Sequence, residues 1–164
     1  MLEKQLLVEL LDYVESHLIQ PIYDLCEQEK IYSESLHHIE LEDFVKTKRK
    51  PTFAETLFRF IDKKGYSDAD IYKKAGLDRR HFSKIRSNRD YRLGKNSAIA
   101  LALALELTKK ETEKLLSSAG FSLSDNDTFD LVIQFCLEKK IYDLYDVNQA
   151  LDYFSLKPLI RGTN

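Results

Sequence analysis

Little in this chain interrupts a helix, for only five glycines and three prolines occur in 164 residues. Both residues punctuate local structure, so their scarcity favours long regular elements. There are two cysteines, Cys26 and Cys136, 110 residues apart in amphipathic surroundings, and their number and spacing argue against a disulfide framework. A reduced, buried thiol is expected at each. No run approaches the roughly 18 apolar residues that would suggest a membrane-spanning helix. The start Met1-Leu2-Glu3-Lys4 lacks a signal peptide's charge order, so a cytoplasmic protein without a membrane partner is expected. Gly-rich phosphate loops and the His-Glu-x-x-His and Gly-x-Ser-x-Gly runs are also missing. His17, His37, His38 and His81 do not stand at metal-ligand spacing with the cysteines, and His38 with Glu40 and Glu42 reads as solvated acidic surface. No catalytic residue, metal site or cofactor is expected.

What is present is charge, unevenly spread. Residues 46–95 carry 16 of the 25 Lys and Arg but only 6 of the 27 Asp and Glu, a net +10, while the rest of the chain sums to -12. The whole-chain charge of -2 hides this asymmetry. A cationic stretch of this density attracts phosphate backbones, because each Lys or Arg set on a phosphate releases condensed counterions. The same density would also suit a solvated surface. The choice rests on what the basic residues sit on.

Asp68-Ala69-Asp70-Ile71-Tyr72-Lys73-Lys74-Ala75-Gly76 reads as a short helix, with Ser67 as N-cap, acids in its first turn, lysines in its last and Gly76 as its left-handed stop. Leu77 then enters the core and Asp78 caps a second helix, Arg79 to Ser87. Its only apolar residues, Phe82 and Ile85, share one face. At roughly 100° per residue, Arg80, Lys84 and Ser87 lie nearly opposite that pair, with Ser83 and Arg79 beside them. The pattern is a helix-turn-helix whose second helix has an apolar back and a cationic front, suited to a DNA major groove.

From Ile71 to Ile85 the order is apolar, bulky, two Lys, Ala, Gly, Leu, capping Asp, polar triplet, Phe, Ser, Lys, Ile. This run resembles the bacterial and phage Cro and xenobiotic-response regulators, and with Phe53–Lys64 before it and Ser97–Leu116 after it the likeness spans about 70 of the 164 residues. Two positions depart from that family. Tyr72 stands where Ala is usual, which would widen or tilt the crossing of the two helices. The following loop, Ser87 to Gly94, has no proline. The stretch from Phe53 to about Leu159 also resembles, more weakly, the helical tail of some bacterial macro-domain proteins, although no macro domain precedes it here. The family resemblance implies an all-α protein with a lambda-repressor-like core and N- and C-terminal helical extensions. Three regions are expected, at 1–45, 46–120 and 121–164, the first and last acidic.

Outside the core, Leu6, Leu7, Leu10, Leu11, Val14 and Leu18 mark an amphipathic helix limited by Pro21. Residues 22–30 could resume it, and 31–45 read as mixed and acidic. Lys46 to Thr52 reads as a cationic linker with Pro51 and Thr52 placed to start a helix at Phe53. Ile99 to Leu107 alternates like a strand but is read as a buried helix, since Ala, Leu and Glu are strong helix formers and Asn96 or Ser97 supplies a cap. Thr108 with Glu111 makes a capping box for a helix that stops at Gly120. Beyond it, Phe129, Leu131, Val132, Phe135 and Cys136 mark one apolar stripe, and Leu144, Val147, Leu151 and Phe154 another.

The cationic face points to double-stranded DNA, and the resemblance implies a sequence-specific regulator, expected to be a homodimeric repressor or autoregulator. Arg79, Arg80, Ser83 and Lys84 would meet base edges, while Lys73, Lys74, Arg86, Asn88, Arg89, Tyr91, Arg92 and Lys95 would hold phosphates, assisted by Lys48, Arg49 and Lys50. The alternative is a non-enzymatic adaptor that uses the same fold to bind an acidic protein partner, for example in phage defence or counter-defence. A nucleic-acid-processing enzyme is a third and weaker reading. Fold alone does not choose among them.

Overall fold

A computed structural model describes the backbone of residues 4–17 and 20–160, and the side chains of these except residues 15–29, 31 and 32. The described residues form nine helices and no strand, so the protein is all-α. They are α1 (Lys4–His17), α2 (Gln20–Lys48), α3 (Phe53–Lys64), α4 (Asp68–Lys74), α5 (Arg79–Ser87), α6 (Lys95–Ala104), α7 (Lys109–Ser118), α8 (Thr128–Glu138) and α9 (Leu144–Tyr153). The chain divides into two compact units, Met1–Arg49 and Lys50–Asn164.

The first unit holds α1 and α2. Pro21 is the second residue of α2, a position where its missing N–H leaves no hydrogen bond unmade. From there no Gly or Pro intervenes, and the helix continues through the acidic 31–45 stretch and half of the basic one to Lys48. The expected linker is therefore shorter than Lys46–Thr52. Lys46 and Lys48 sit in the last helical turn, where their charge favours the carbonyl end of the helix dipole. On α1, Leu6, Leu7, Leu10, Leu11 and Val14 are all exposed. Leu18 lies outside the described residues, as does the side chain of Cys26.

The second unit is built around α6. Every residue from Ala98 to Leu105 is buried, so this helix is the post that the sequence suggests. It starts earlier than expected, with Gly94 rather than Asn96 or Ser97 in the cap position and no side-chain cap bond. It ends at Ala104, and Glu106, two residues on with a φ of 53°, turns the chain. Around the post pack α4 and α7, with α3 against α7, through Leu57, Ile71, Leu115 and Leu116, each essentially without solvent contact. Local chemistry fixes the ends of these helices. Thr52 and Glu55 close a capping box on α3, Thr108 and Glu111 close another on α7, and Ser67 and Asp78 cap α4 and α5. The bond from the Thr108 backbone N–H holds the Glu111 carboxyl below its usual range.

Residues 128–160 do not stand apart from this core. Val132, Ile133, Cys136 and Leu137 of α8, Val147 and Leu151 of α9, and Leu159 after it are buried in the same cluster as α3–α7. The inner arc of α8 thus differs from the expected stripe, since Leu131 and Phe135 point outward. The Cys136 thiol is free and buried, and its burial raises its pKa.

Gly76, with φ 68°, is the left-handed stop that the sequence suggests, and it is also a close contact. A Cβ there would come within 3.0 Å of Leu144 Cδ2 of α9 and 3.6 Å of Ile160 Cγ2. Two penalties therefore act together, left-handed backbone for a residue with a Cβ and crowding against α9. Gly76→Ala is expected to cost about 2 kcal/mol, seen as a fall of several degrees in the thermal midpoint. An unchanged midpoint would show that α9 does not seat on this turn.

Candidate nucleic-acid interface

Phe82 pins α5 in place. Its ring meets Phe58 of α3 edge-on at 5.9 Å and Tyr72 of α4 at 5.8 Å, while Ile85, one turn on, is buried. Tyr72, the departure noted in the sequence, is half-buried in this aromatic contact. The Asp78 carboxylate accepts from the Arg80 backbone N–H at 3.2 Å and fixes the start of the helix. With Phe82 and Ile85 facing inward, Arg79, Arg80, Ser83, Lys84 and Ser87 are all exposed. Among the described residues, none of Arg79, Arg80 and Lys84 has an acidic partner.

The expected phosphate contacts divide into two groups. Lys73 and Arg92 are exposed and without an acidic partner among the described residues, and Lys74 lies over the Tyr66 ring at 4.7 Å with its charge still outward. Arg86 instead bonds Asp68 at 2.6 Å and covers the Phe58 ring at 4.2 Å. Arg89 bonds Glu55 at 2.6 Å. In both pairs the arginine is more than half exposed and the carboxylate half-buried, and a surface pair is worth about 1 kcal/mol, so an incoming phosphate could exchange for either carboxylate. Lys95 is different. Its ammonium bonds Asp130 Oδ2 at 2.8 Å, and Asp130 is 2% exposed. Lys95 is therefore a strut between α6 and α8.

In the loop after α5, Asn88 accepts from the Asp90 backbone N–H at 3.0 Å, so its carbonyl oxygen holds the turn. Tyr91 is half-buried, with its ring edge-on to His81 at 5.7 Å. Asn88 is exposed, whereas Tyr91 packs partly against the core, so both shape the loop. Lys48 ends α2, and Arg49 and Lys50 belong to the short connector before α3; all three are exposed.

The acids that bind Arg86, Arg89 and Lys95 have no local signature. Asp130 lies 35 residues from Lys95 and Glu55 lies 34 from Arg89. Among the described residues, no three His, Cys, Asp or Glu side chains converge to hold a metal ion, and no helix is long and apolar enough to cross a membrane. Compared with known proteins, the chain matches no family model, no curated protein and no solved structure.

Proposed function

We propose that the protein is a sequence-specific regulator of double-stranded DNA, a repressor or autoregulator working in the cytoplasm on a lambda-repressor-like helix-turn-helix core. The observation that carries this reading is the open face of α5, where Arg79, Arg80, Ser83 and Lys84 are exposed while Phe82 and Ile85 anchor the opposite side. Arg79 and Arg80 occupy the first turn of the second helix, the part that reaches base edges in this architecture. An Arg fork matches the two acceptors of guanine, which suits it to reading sequence. Lys73, Lys74 and Arg92 position the duplex, with Arg86 and Arg89 joining once their carboxylates are exchanged for phosphates.

One such unit spans few base pairs, so specificity calls for two copies and a roughly palindromic site. The exposed stripe of α1 is the better homodimer surface, because Val147 and Leu151 of the other candidate stripe are buried within the chain. The adaptor reading keeps one supporting observation. Pairing of Arg86, Arg89 and Lys95 with acids weakens the cationic face relative to its composition. Retention of partners after nuclease treatment would favour that reading.

Substitutions test the assignment. Arg80→Ala is expected to cost roughly 1–3 kcal/mol at the cognate site and little on random DNA, if Arg80 pairs with a guanine. Lys74→Ala should weaken binding to both by similar factors. Equal losses for both variants on both DNAs, measured by fluorescence anisotropy, would mean that α5 does not read sequence.

A further inference from the structure

A second surface is formed between α8 and α9. Thr128, Leu131, Val132 and Phe135 recur at the spacing i, i+3, i+4, i+7 on α8 and so share one face. Asp146, Gln149, Ala150 and Tyr153 do the same on α9. The two faces line an open groove of about 860 Å³, with Val132 and the small Ala150 low in it and Leu131, Phe135, Tyr153 and Phe154 as its exposed apolar edges. Phe135 is 53% exposed, Phe154 54% and Tyr153 84%, and a folded chain seldom shows so much aromatic surface together without using it.

The charges on the groove indicate what fits. Asp146 and Asp152 line it, and among the described residues neither has a cationic partner. A second copy seated groove to groove about a twofold axis would bring like carboxylates together. We propose that the α8–α9 groove receives an amphipathic helix of a partner protein, with apolar anchors about i, i+3 or i+4 and i+7 apart and lysines or arginines flanking them. Two helix faces with a trough between them form the receptor half of helix-in-groove recognition. Asp146 and Asp152 would select against acidic helices. This surface does not depend on DNA binding, and the cationic face of α5 takes no part in it.

The test uses the full chain and two synthetic Ala-based helical peptides with the same leucines at i, i+3, i+4 and i+7, one flanked by lysines and its twin by glutamates. Fluorescence anisotropy is expected to show the lysine peptide binding about tenfold more tightly, the scale of two solvated ion pairs. Phe135→Ser should abolish that binding, and because Phe135 points outward, circular dichroism should show an unchanged fold. The double variant Asp146→Lys, Asp152→Lys should reverse the order of the two peptides. Binding that survives Phe135→Ser, equal affinity for both peptides, an order unmoved by the charge exchange, or no binding of either would overturn the proposal.

Discussion

Lys95→Met is expected to destabilise the Lys50–Asn164 unit by about 3–5 kcal/mol, because it strands the Asp130 carboxylate where water cannot solvate it. Asp130 is 2% exposed, its Oδ2 accepts from Lys95 Nζ and from the Ser124 backbone N–H at 2.8 Å each, and its Oδ1 has no partner among the described residues. The pair is thus incompletely satisfied even when intact. Asp130→Asn should cost less, about 1–2 kcal/mol, since an amide oxygen can still accept both bonds and the Lys95 side chain, 30% exposed, can turn towards solvent. The combined Lys95→Met, Asp130→Leu variant should recover much of the loss, because two apolar groups of similar volume need no charge compensation. Urea unfolding of the four proteins measures this. A Lys95→Met cost below about 1 kcal/mol would return Lys95 to the surface and to the phosphate contacts.

That result bears on function as well as stability. Lys95 opens α6, immediately after the loop that follows α5, and Asp130 is the third residue of α8. Leu144 likewise seats on the Gly76 turn between α4 and α5. Removal of residues 121–164 therefore does more than remove an acidic appendage. It uncovers the side of the core against which Ile133, Cys136, Val147 and Leu151 are buried, and the geometry of α5 depends on that core.

The parts of the fold legible in the sequence are those with local punctuation. Thr52, Ser67, Gly76 and Asp78 state the ends of α3, α4 and α5 within a few residues of chain, and the structure uses each as a cap or stop. The outward direction of Arg80 and Lys84 followed from Phe82 and Ile85 alone, because only two apolar residues left a single way to bury the helix. α2 was harder. After Pro21 its sequence has neither a breaker nor a clean apolar stripe, so only the charge pattern stands out and Lys46–Lys48 resembles a linker rather than the last helical turn it is. α8 failed for the opposite reason. Apolar residues on most sides leave its inner arc undetermined, and whether Leu131 and Phe135 or Ile133 and Leu137 face inward depends on where α7 and α9 lie. Ion pairs across 34 or 35 residues of chain leave no mark in either segment.

DNA affinity should fall steeply with salt, and by an amount that depends on how those ion pairs behave. The +10 charge of residues 46–95 would suggest six to eight phosphate contacts per protomer if every candidate were available. Lys95 is withheld by Asp130, and Arg86 and Arg89 must first leave Asp68 and Glu55. With about four to six phosphates neutralised per protomer, log affinity should fall against log salt with a slope of about -4 to -5. Between 50 and 200 mM salt this amounts to a loss of roughly 250- to 1,000-fold per protomer. Asp68→Asn and Glu55→Gln, by releasing Arg86 and Arg89, should steepen the slope by about one each if those arginines reach phosphates only weakly in the native chain. Filter-binding titrations on one duplex, run for the native chain and both variants, give all three slopes. A native slope near zero would remove the electrostatic basis of DNA binding, and the cationic face would then be a protein-binding surface. A native slope in the expected range that neither variant changes would show instead that Arg86 and Arg89 already contact phosphates, the half-buried Asp68 and Glu55 yielding at little cost.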